Sequence, residues 1–385
     1  MKEWMYDVVV VGAGPSGSAA ARVCAEAGLR TLCIEEHAAI GYPVQCAGLL
    51  STAAFSECEV STRSILNTVS GARFIPSFGE PLVIDAGEPK AYVVDRGILD
   101  SEMARLAAEA GAEFRLKTSV VSLKGNRAIT KGPRGREEMK FSLLIAADGV
   151  RSSIARQLGL GRAEFFLGGL QAEVRCPVDP RFVEIHPHAS PQFFGWVIPS
   201  GNGRARVGLC GEGDLRKRLA DLLRPYEGGV LHLVSGALPL GVLSRTSGSR
   251  ALIVGDAAGM VKPTSGGGIY TGVRSARHAA AVAADCCRKG SFKDRDLARY
   301  EDLWRADIGR ELAVGMALYR ARRGLSPADV DAIISALRDP DIVREIVEHG
   351  DMDRPAALVR RLGTNPRVIK AAGILLRGGL RAFIT

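Results

Sequence analysis

The feature that most constrains the fold is a strand, a glycine turn, a helix and a second strand within the first 36 residues. Residues 6–11 form a valine-rich run that is typical of a buried parallel strand. The turn Gly-Ala-Gly-Pro-Ser-Gly occupies 12–17, and an alanine-rich helix is predicted over 18–27, ending at Gly28. Residues 29–34 are apolar again. This order predicts an α/β unit at the N-terminus.

The glycine spacing in this turn is typical of a phosphate-binding turn. Gly12 permits the tight turn, Gly14 lets a pyrophosphate approach the backbone, and Gly17 lets the helix pack closely on the strand. Pro15 and Ser16 begin the helix, whose N-terminal N–H groups face the anion. We therefore predict that these five residues contact a bound dinucleotide.

Two acidic residues end the second strand. Glu35 is the better candidate for accepting the ribose hydroxyls, and Glu36 is the fallback because predicted strand ends shift by a residue or two. The acid completes the context that a dinucleotide fingerprint requires. A glycine-rich turn without a ligand is the alternative.

Composition limits the other function classes. The 385 residues are 46% hydrophobic and 24% charged, as expected for a folded protein of about two or three domains. The net charge of +9 favours phosphate-bearing partners, but there is no basic tail and aromatic residues are only 6%, so nucleic acid is not expected. The eight cysteines show no metal-ligand spacing, which predicts no metal site and a reduced, cytoplasmic protein. No apolar stretch is long enough to span a membrane.

The rest of the chain alternates between two predicted units and a helical end. The fold class is α/β, with a Rossmann-like, doubly wound domain that is interrupted by an antiparallel-sheet substrate domain. The segments predicted for the doubly wound domain are 1–68, 96–160 and 245–300. The inserted α+β domain is predicted to comprise 69–95 and 161–244, and residues 301–385 are predicted to be a helical C-terminal region.

The sequence resembles FAD-dependent geranylgeranyl reductases over residues 1–300. These belong to a larger flavoprotein group with the p-hydroxybenzoate-hydroxylase type of fold. The motifs of the larger group occur here, in order, as Gly12-x-Gly14-x-x-Gly17 with Glu35, Asp148-Gly149, and Gly255-Asp256-Ala257-Ala258. The resemblance implies FAD as the cofactor, with Asp148 and Gly149 near its pyrophosphate and Asp256 near its ribityl chain.

Further motifs resemble the reductase branch. They are the loop Gly41–Gly48 with its Pro-Val-x-Cys pattern, the helix start Arg96 with Asp100, and the turn Pro263–Tyr270. The resemblance implies that the additional FAD contacts are Cys46, Ala47, Arg96, Val120, Gly266, Gly267, Gly268 and Ile269. The branch's aromatic substrate motif is represented by Phe194, Trp196 and Pro199, although its tyrosine is replaced by Phe194. No role is therefore assigned to a tyrosine hydroxyl.

Two of these motifs have a direct chemical interpretation. The free N–H groups and positive dipole end of the helix after Gly268 can face the flavin edge that becomes negative on reduction. Reduction of an isolated alkene also needs a proton, and Cys46 is the predicted catalytic donor. The alternatives are an ordinary helix start and an inert, buried cysteine.

The resemblance implies saturation of prenyl double bonds. The expected substrates are archaeal digeranylgeranylglycerophospholipids, because the short chain shows no transit peptide. NAD(P)H, ferredoxin and a deazaflavin all stay open as electron donors. The alternatives are an aromatic monooxygenase of the same fold and an electron-transfer flavoprotein. The segment 368–385 mixes apolar and basic residues, so it is expected either to touch the inner membrane surface or to dock on the core.

Overall fold

A mainly parallel sheet around the N-terminal strand forms the first part of the molecule. The computed structural model describes residues 5–226 and 229–384, with side chains as far as residue 379. Across this sheet the strands are β17 (Ser247–Gly248), β18 (Ala251–Ile253), β11 (Gly135–Ala146), β1 (Met5–Val11), β2 (Thr31–Ile34) and β8 (Glu113–Arg115). The antiparallel strands β9 (Ser119–Lys124) and β10 (Arg127–Gly132) extend β11.

The core of this sheet follows directly from the sequence pattern. Val8, Val9 and Val10 are fully buried because β1 has parallel neighbours on both sides, β11 and β2. The helices that cover the sheet are α1 (Pro15–Glu26), α3 (Arg96–Glu109), α4 (Ser153–Gln157) and α6 (Ile269–Lys289). Of these, α1 packs against both α3 and α6. The predicted N-terminal α/β unit is confirmed.

A second sheet of seven strands forms the other part. Its strands are, in order, β16 (Val230–Leu240), β12 (Phe165–Arg175), β15 (Arg204–Gly211), β14 (Gly195–Gly201), β13 (Phe182–His186), β5 (Gly71–Phe74) and β6 (Leu82–Asp85). All neighbours are antiparallel except β13 and β5, which run parallel. Helix α5 (Leu215–Leu223) packs on β12 and β15.

A small third sheet joins the two larger ones. It contains β3 (Leu49–Ser51), β7 (Ala91–Val94) and β4 (Ile65–Val69), and α2 (Thr52–Cys58) follows β3 directly. The sequence pattern grouped β7 with the substrate sheet, whereas β7 pairs with β3 and β4. Strands of three to five residues carry too little alternation to specify which sheet they join.

The C-terminal part is helical. It contains α7 (Asp294–Leu297), α8 (Arg299–Trp304), α9 (Arg310–Arg323), α10 (Pro327–Leu337), α11 (Pro340–His349), α12 (Pro355–Leu362) and α13 (Pro366–Ile384), with a π-helical turn at 305–309. The last four helices each begin with a proline, because proline is tolerated in the first helical turn.

The final helix docks on the rest of the molecule. Gly378 of α13 lies so close to α9 and the turn after it that an added Cβ would be 2.7 Å from the carbonyl oxygen of Ala321 and 2.5 Å from Leu325. Docking on the core, one of the two expectations for segment 368–385, is therefore observed as far as the side chains are described. Within the described residues, no helix has both the length and the apolar character needed to cross a membrane.

Candidate active site

The glycine turn after β1 has two packed glycines and one that faces open space. Gly12 has a φ of +97°, and a Cβ there would lie 2.2 Å from the carbonyl oxygen of Ala147. A Cβ on Gly17 would lie 1.8 Å from the Gly12 oxygen, whereas a Cβ on Gly14 would meet no atom within 4 Å. Helix α1 starts at Pro15 without a side-chain cap, so its first N–H groups are free for a ligand.

The acid at the end of β2 is Glu35. Its carboxylate accepts hydrogen bonds from the backbone N–H of Ala13 at 2.8 Å and of His37 at 2.9 Å. Glu35 is buried, and Glu36 points to solvent. The structure therefore brings Glu35, and not the fallback residue, to the glycine turn.

Val120 lies beside this acid. The backbone N–H of Thr118 donates to the carbonyl oxygen of Glu35 at 2.9 Å, and β9 begins at the next residue. The Val120 side chain is buried in the main core. The structure thus places Val120 near the acid end of the glycine turn, and its contact with a cofactor stays a prediction.

The Asp148 carboxylate is hydrogen-bonded within its own loop. Its carboxylate accepts hydrogen bonds from the Ser152 hydroxyl at 2.6 Å and from the N–H groups of Ser153 and Ile154 at 2.8 and 3.1 Å. Burial raises the pKa of Asp148, and these hydrogen bonds oppose the shift. The carboxylate therefore stabilises the start of α4, while the adjacent Gly149, with a φ of +73°, faces open space.

Asp256 lies at the free N-terminus of α6. A Cβ on Gly268 would be 2.6 Å from the Asp256 Oδ1 atom, and α6 begins at Ile269 without a side-chain cap. Within residues 5–226 and 229–384, no hydrogen-bond donor reaches this carboxylate. Burial raises the pKa of Asp256, and the charge of Arg96 only partly opposes the shift. A half-buried acceptor thus stands next to unused helix N–H groups.

Arg96 connects three distant segments. Its guanidinium donates two hydrogen bonds of 2.8 Å to Asp100, and its side chain is only 14% exposed. Burial alone would lower the pKa of Arg96, but Asp100 and the sulfur of Cys46 outweigh burial and raise it. Because Arg96 also acts electrostatically on Asp256, the predicted residues Cys46, Arg96 and Asp256 are brought together.

The Cys46 loop is fixed from both sides. The N–H of Gly48 donates to the Cys46 sulfur at 3.3 Å, and the Gln171 amide donates to the Cys46 carbonyl oxygen at 3.5 Å. The Arg206 guanidinium donates to the carbonyl oxygen of Ala47 at 2.8 Å. Cys46 itself is half-buried, so the loop presents a thiol that the inserted sheet holds in place.

An apolar wall faces the second glycine turn. A Cβ on Gly266 would lie 3.4 Å from both Leu238 and Phe193. Phe193 stacks on Phe194 with ring centroids 4.3 Å apart, and Phe194 meets the Trp196 ring edge-on at 6.3 Å. Rings from β14 and the segment before it therefore form one side of the space in front of this turn.

Of the predicted substrate residues, Phe194 and Trp196 belong to the apolar wall, and Pro199 does not. The Trp196 indole N–H donates to Gln171 at 2.9 Å, and Gln171 also holds the Cys46 loop. Pro199 is buried farther along β14, where its carbonyl oxygen accepts a 3.0 Å hydrogen bond from Asn67. The structure thus brings together Phe194 and Trp196 and places Pro199 against β4.

Comparison with known proteins identifies the family. The chain matches the FAD binding domain family over residues 5–218. It is 34% identical over 365 residues to digeranylgeranylglycerophospholipid reductase 2 of Methanothermobacter thermautotrophicus, covering 88% of this chain and 93% of that protein. It is 30% identical over 368 residues to the digeranylgeranylglycerophospholipid reductase of Methanosarcina acetivorans, covering 87% and 89% of the two chains. The chain belongs to the digeranylgeranylglycerophospholipid reductase family.

Solved structures agree with this family assignment. A geranylgeranyl bacteriochlorophyll reductase-like protein from Thermoplasma acidophilum has a TM-score of 0.84 at 27% identity, covering 94% of this chain and 99% of that one. A p-nitrophenol 4-monooxygenase from Pseudomonas putida has a TM-score of 0.73 at 20% identity, covering 90% and 97%, and shares the fold. The predicted resemblance, fold class and oxidoreductase class are confirmed, and the family match supports FAD.

The residues present fit the FAD that this reductase family implies. The space at Gly14, the uncapped start of α1 and the buried Glu35 suit a pyrophosphate and a ribose. The carboxylate of Asp256 suits a ribityl hydroxyl donor, and the uncapped start of α6 suits the flavin edge that carries negative charge.

Some residues at the site of this reductase were not predicted. Gln171 and Arg206 hold the Cys46 loop, and a buried Lys262 lies against Gly267 in contact with Asp353. A polar residue at an inward position of an apolar strand is a usable signal for Gln171. Lys262 interrupts the apolar run 257–261, which is a similar signal. Nothing in the sequence near Asp353 distinguishes it from the exposed acids of the C-terminal region.

Proposed function

We propose that this protein saturates the C=C bonds of geranylgeranyl chains in digeranylgeranylglycerophospholipids with FAD as its cofactor. The observation that carries the proposal is the similarity, over most of both chains, to relatives named for this reaction. Bound FAD, in its reduced form, supplies the hydride for the alkene. The residues of this chain supply binding, exclusion of water and a proton.

The proposed FAD contacts come from several separate segments of the chain. They are Gly12, Gly14, Pro15, Ser16, Gly17 and Glu35; Cys46 and Ala47; Arg96, Val120 and Gly149; and Asp256, Gly266, Gly267, Gly268 and Ile269. Asp148 acts through its loop, because its carboxylate fixes the backbone on either side of Gly149.

The apolar wall is the proposed binding surface for the prenyl chain. Phe194 and Trp196 stand at its edge, and Phe193 and Leu238 close it against Gly266. Burying a prenyl chain on such side chains contributes about 25 cal/mol per Å² of apolar surface removed from water. The same side chains keep water away from the turn at the start of α6.

Cys46 is the proposed proton donor. The alkene gains a hydride on one carbon and a proton on the other, so an acid must lie close to the reacting bond. The Cys46 thiol donates this proton, and the Arg96 guanidinium interacts with the sulfur. Solvent then returns the proton to the sulfur and completes the cycle.

The site also limits where the reaction takes place. The relatives are named for a glycerophospholipid substrate, and a phospholipid is reached at a membrane surface. We therefore propose that the protein works in the cytoplasm at the inner membrane surface. The physiological donor is NAD(P)H, ferredoxin or a deazaflavin, and an artificial reductant replaces it in the test below.

The test is an anaerobic conversion of a defined lipid. FAD-loaded protein is reduced with dithionite, mixed with a digeranylgeranylglycerophospholipid, and the lipid is analysed by mass spectrometry. The proposal predicts a gain of two hydrogens for every double bond saturated. An unchanged lipid, combined with oxygen-dependent oxidation of NAD(P)H on a phenol, would assign the protein to the monooxygenases.

A further inference from the structure

A short segment of the C-terminal region is fastened to the turn that begins α6. We call residues 351–356, which lead from α11 into the first turn of α12, the C-terminal strap. Asp353 of this strap is 1% exposed, and its carboxylate contacts the Lys262 ammonium group and the Ser51 hydroxyl. Lys262 also donates a 3.0 Å hydrogen bond to the carbonyl oxygen of Met352. One buried acid thus joins the strap, the end of β3 and the second glycine turn.

The rest of the strap is fixed independently. Arg354 donates to the Tyr270 hydroxyl at 3.0 Å and forms a 2.8 Å ion pair with Asp307. The N–H of Ala356 donates to Glu311 at 2.8 Å. Since Arg354 and Ala356 bond to α6, to the π-helical turn and to α9, the strap holds Asp353 in one place relative to α6.

Lys262 is part of the same turn as the three glycines. Its backbone N–H donates to the carbonyl oxygen of Gly267 at 3.1 Å, and its carbonyl oxygen accepts from the N–H of Gly266 at 2.8 Å. A Cβ on Gly267 would lie 2.9 Å from the Lys262 Cε atom and 3.3 Å from its Nζ atom. The cation therefore lies directly against the turn.

The ion pair is oriented with its positive end toward the start of α6. The Lys262 Nζ atom is among the atoms nearest to Gly267, and the Asp353 carboxylate is farther away. The pair is buried, so solvent screens its field only weakly. Its field adds to that of the uncapped helix N-terminus.

We propose that Lys262, held by Asp353, is a positioning residue that sets the electrostatic potential where the negative edge of the reduced flavin would lie. The inference rests on the proposed function only in that FAD binds at this turn. It explains why a buried charge pair stands here, where packed apolar side chains would be equally stable. The C-terminal region is thereby part of the redox site.

The test compares flavin midpoint potentials of holoproteins without lipid, so it does not depend on the identity of the substrate. Lys262→Met is expected to shift the redox equilibrium about tenfold or more toward oxidised FAD, which is ~30 mV for a two-electron couple. Asp353→Asn leaves the Lys262 cation uncompensated and is expected to shift the redox equilibrium in the opposite direction, toward reduced FAD. The double variant Lys262→Met/Asp353→Leu removes the oriented ion pair. It is expected to shift the redox equilibrium about threefold toward oxidised FAD.

The double variant keeps the proposal testable if a single variant does not fold, because apolar replacement of a whole buried pair is tolerated. Lys289→Gln is the matched control, because it breaks the 2.8 Å Lys289–Asp285 pair at the other end of α6, about 30 Å away. This control should leave the potential unchanged. Shifts of the same sign in both single variants, or an unchanged potential in a folded Lys262→Met or double variant, would overturn the proposal.

Discussion

At the scale of single residues, Arg96 shows how one cation can organise a site built from distant segments. It is paired with Asp100 at the start of α3, it faces the sulfur of Cys46, and its charge reaches Asp256. The charge of Arg96 therefore acts on both the proposed proton donor and the proposed flavin contact.

The first prediction concerns the thiol beside Arg96. Cys46→Ala removes the proposed proton donor, so lipid reduction by pre-reduced protein should fall by about 100-fold or more. FAD binding and reduction by dithionite should persist, as followed by absorbance. Cys210→Ala is the control, because burial together with Cys46 raises the pKa of Cys210 to about 12, which makes it a poor acid. Equal losses in both variants would contradict the role of Cys46.

The second prediction concerns the dependence of stability on pH. Burial would raise the pKa of Asp307, but Arg274, His278 and Arg354 outweigh it and lower the pKa to about 2. A lowered carboxyl pKa stabilises the folded state above the unfolded value of 3.8, and this contribution disappears as pH falls toward 2.

Asp307→Asn should therefore cost about 2 kcal/mol of unfolding free energy near pH 7. The difference in unfolding free energy between this variant and the parent should fall to zero between about pH 4 and pH 2, as measured by urea denaturation across pH. Glu138→Gln, which breaks an exposed pair with Arg127, should change stability by less than about 1 kcal/mol. A difference between the parent and Asp307→Asn that does not vary with pH would refute the assignment.

At the scale of elements, the unit formed by β1, α1 and β2 separates packing from ligand binding. Gly17 and Gly14 are three residues apart in the same turn, yet a Cβ would clash with backbone at the first and meet open space at the second. Gly14 also has an ordinary φ of −68°, so alanine is conformationally tolerated there. The same substitution therefore has different consequences at these two positions.

Gly14→Ala is expected to leave the melting temperature of the apoprotein unchanged and to weaken FAD binding by about tenfold or more, because its methyl group occupies cofactor space. Gly17→Ala is the matched variant and should destabilise the apoprotein itself, since a Cβ would sit 1.8 Å from the Gly12 oxygen. Thermal denaturation and FAD titration distinguish the two effects. Normal FAD affinity in Gly14→Ala would contradict the location of the cofactor.

The elements that could be predicted are those with local signals. Glycine spacing and a valine run specify β1, α1 and β2, and prolines mark the starts of α10 to α13. The pairing of β7 and the contact between Lys262 and Asp353 could not be predicted. The pairing of β7 depends on which short strand is nearby after folding. The ion pair joins residues 91 positions apart, and nothing in the sequence marks Asp353 as the partner of Lys262.

At the scale of the whole molecule, the inserted sheet and the C-terminal region meet at the turn before α6. Phe193 and Leu238 reach Gly266 from the sheet, and α9 adds Tyr319 to the same aromatic cluster. The sequence resemblance predicted the order of the motifs and therefore the site's location. It did not predict the contribution of the helical region, because helix periodicity does not reveal which surface a helix covers.

The docking of α13 provides a prediction at this scale. A Cβ on Gly378 would clash with the Ala321 oxygen and with Leu325, whereas a Cβ on Gly373 would meet nothing within 4 Å. Gly378→Ala should lower the unfolding free energy by about 1–3 kcal/mol. Gly373→Ala should raise it by up to about 1 kcal/mol through helix propensity. Equal effects of the two variants in chemical denaturation would mean that α13 does not pack on α9.

The most direct test of the central claim is a single-turnover experiment in which flavin and lipid are counted in the same sample. Pre-reduced protein without free reductant is mixed anaerobically with a digeranylgeranylglycerophospholipid, and flavin absorbance and lipid mass are measured together. The account predicts that one double bond is saturated for each FAD reoxidised. Flavin that stays reduced until oxygen is admitted, with a lipid of unchanged mass, would contradict the account.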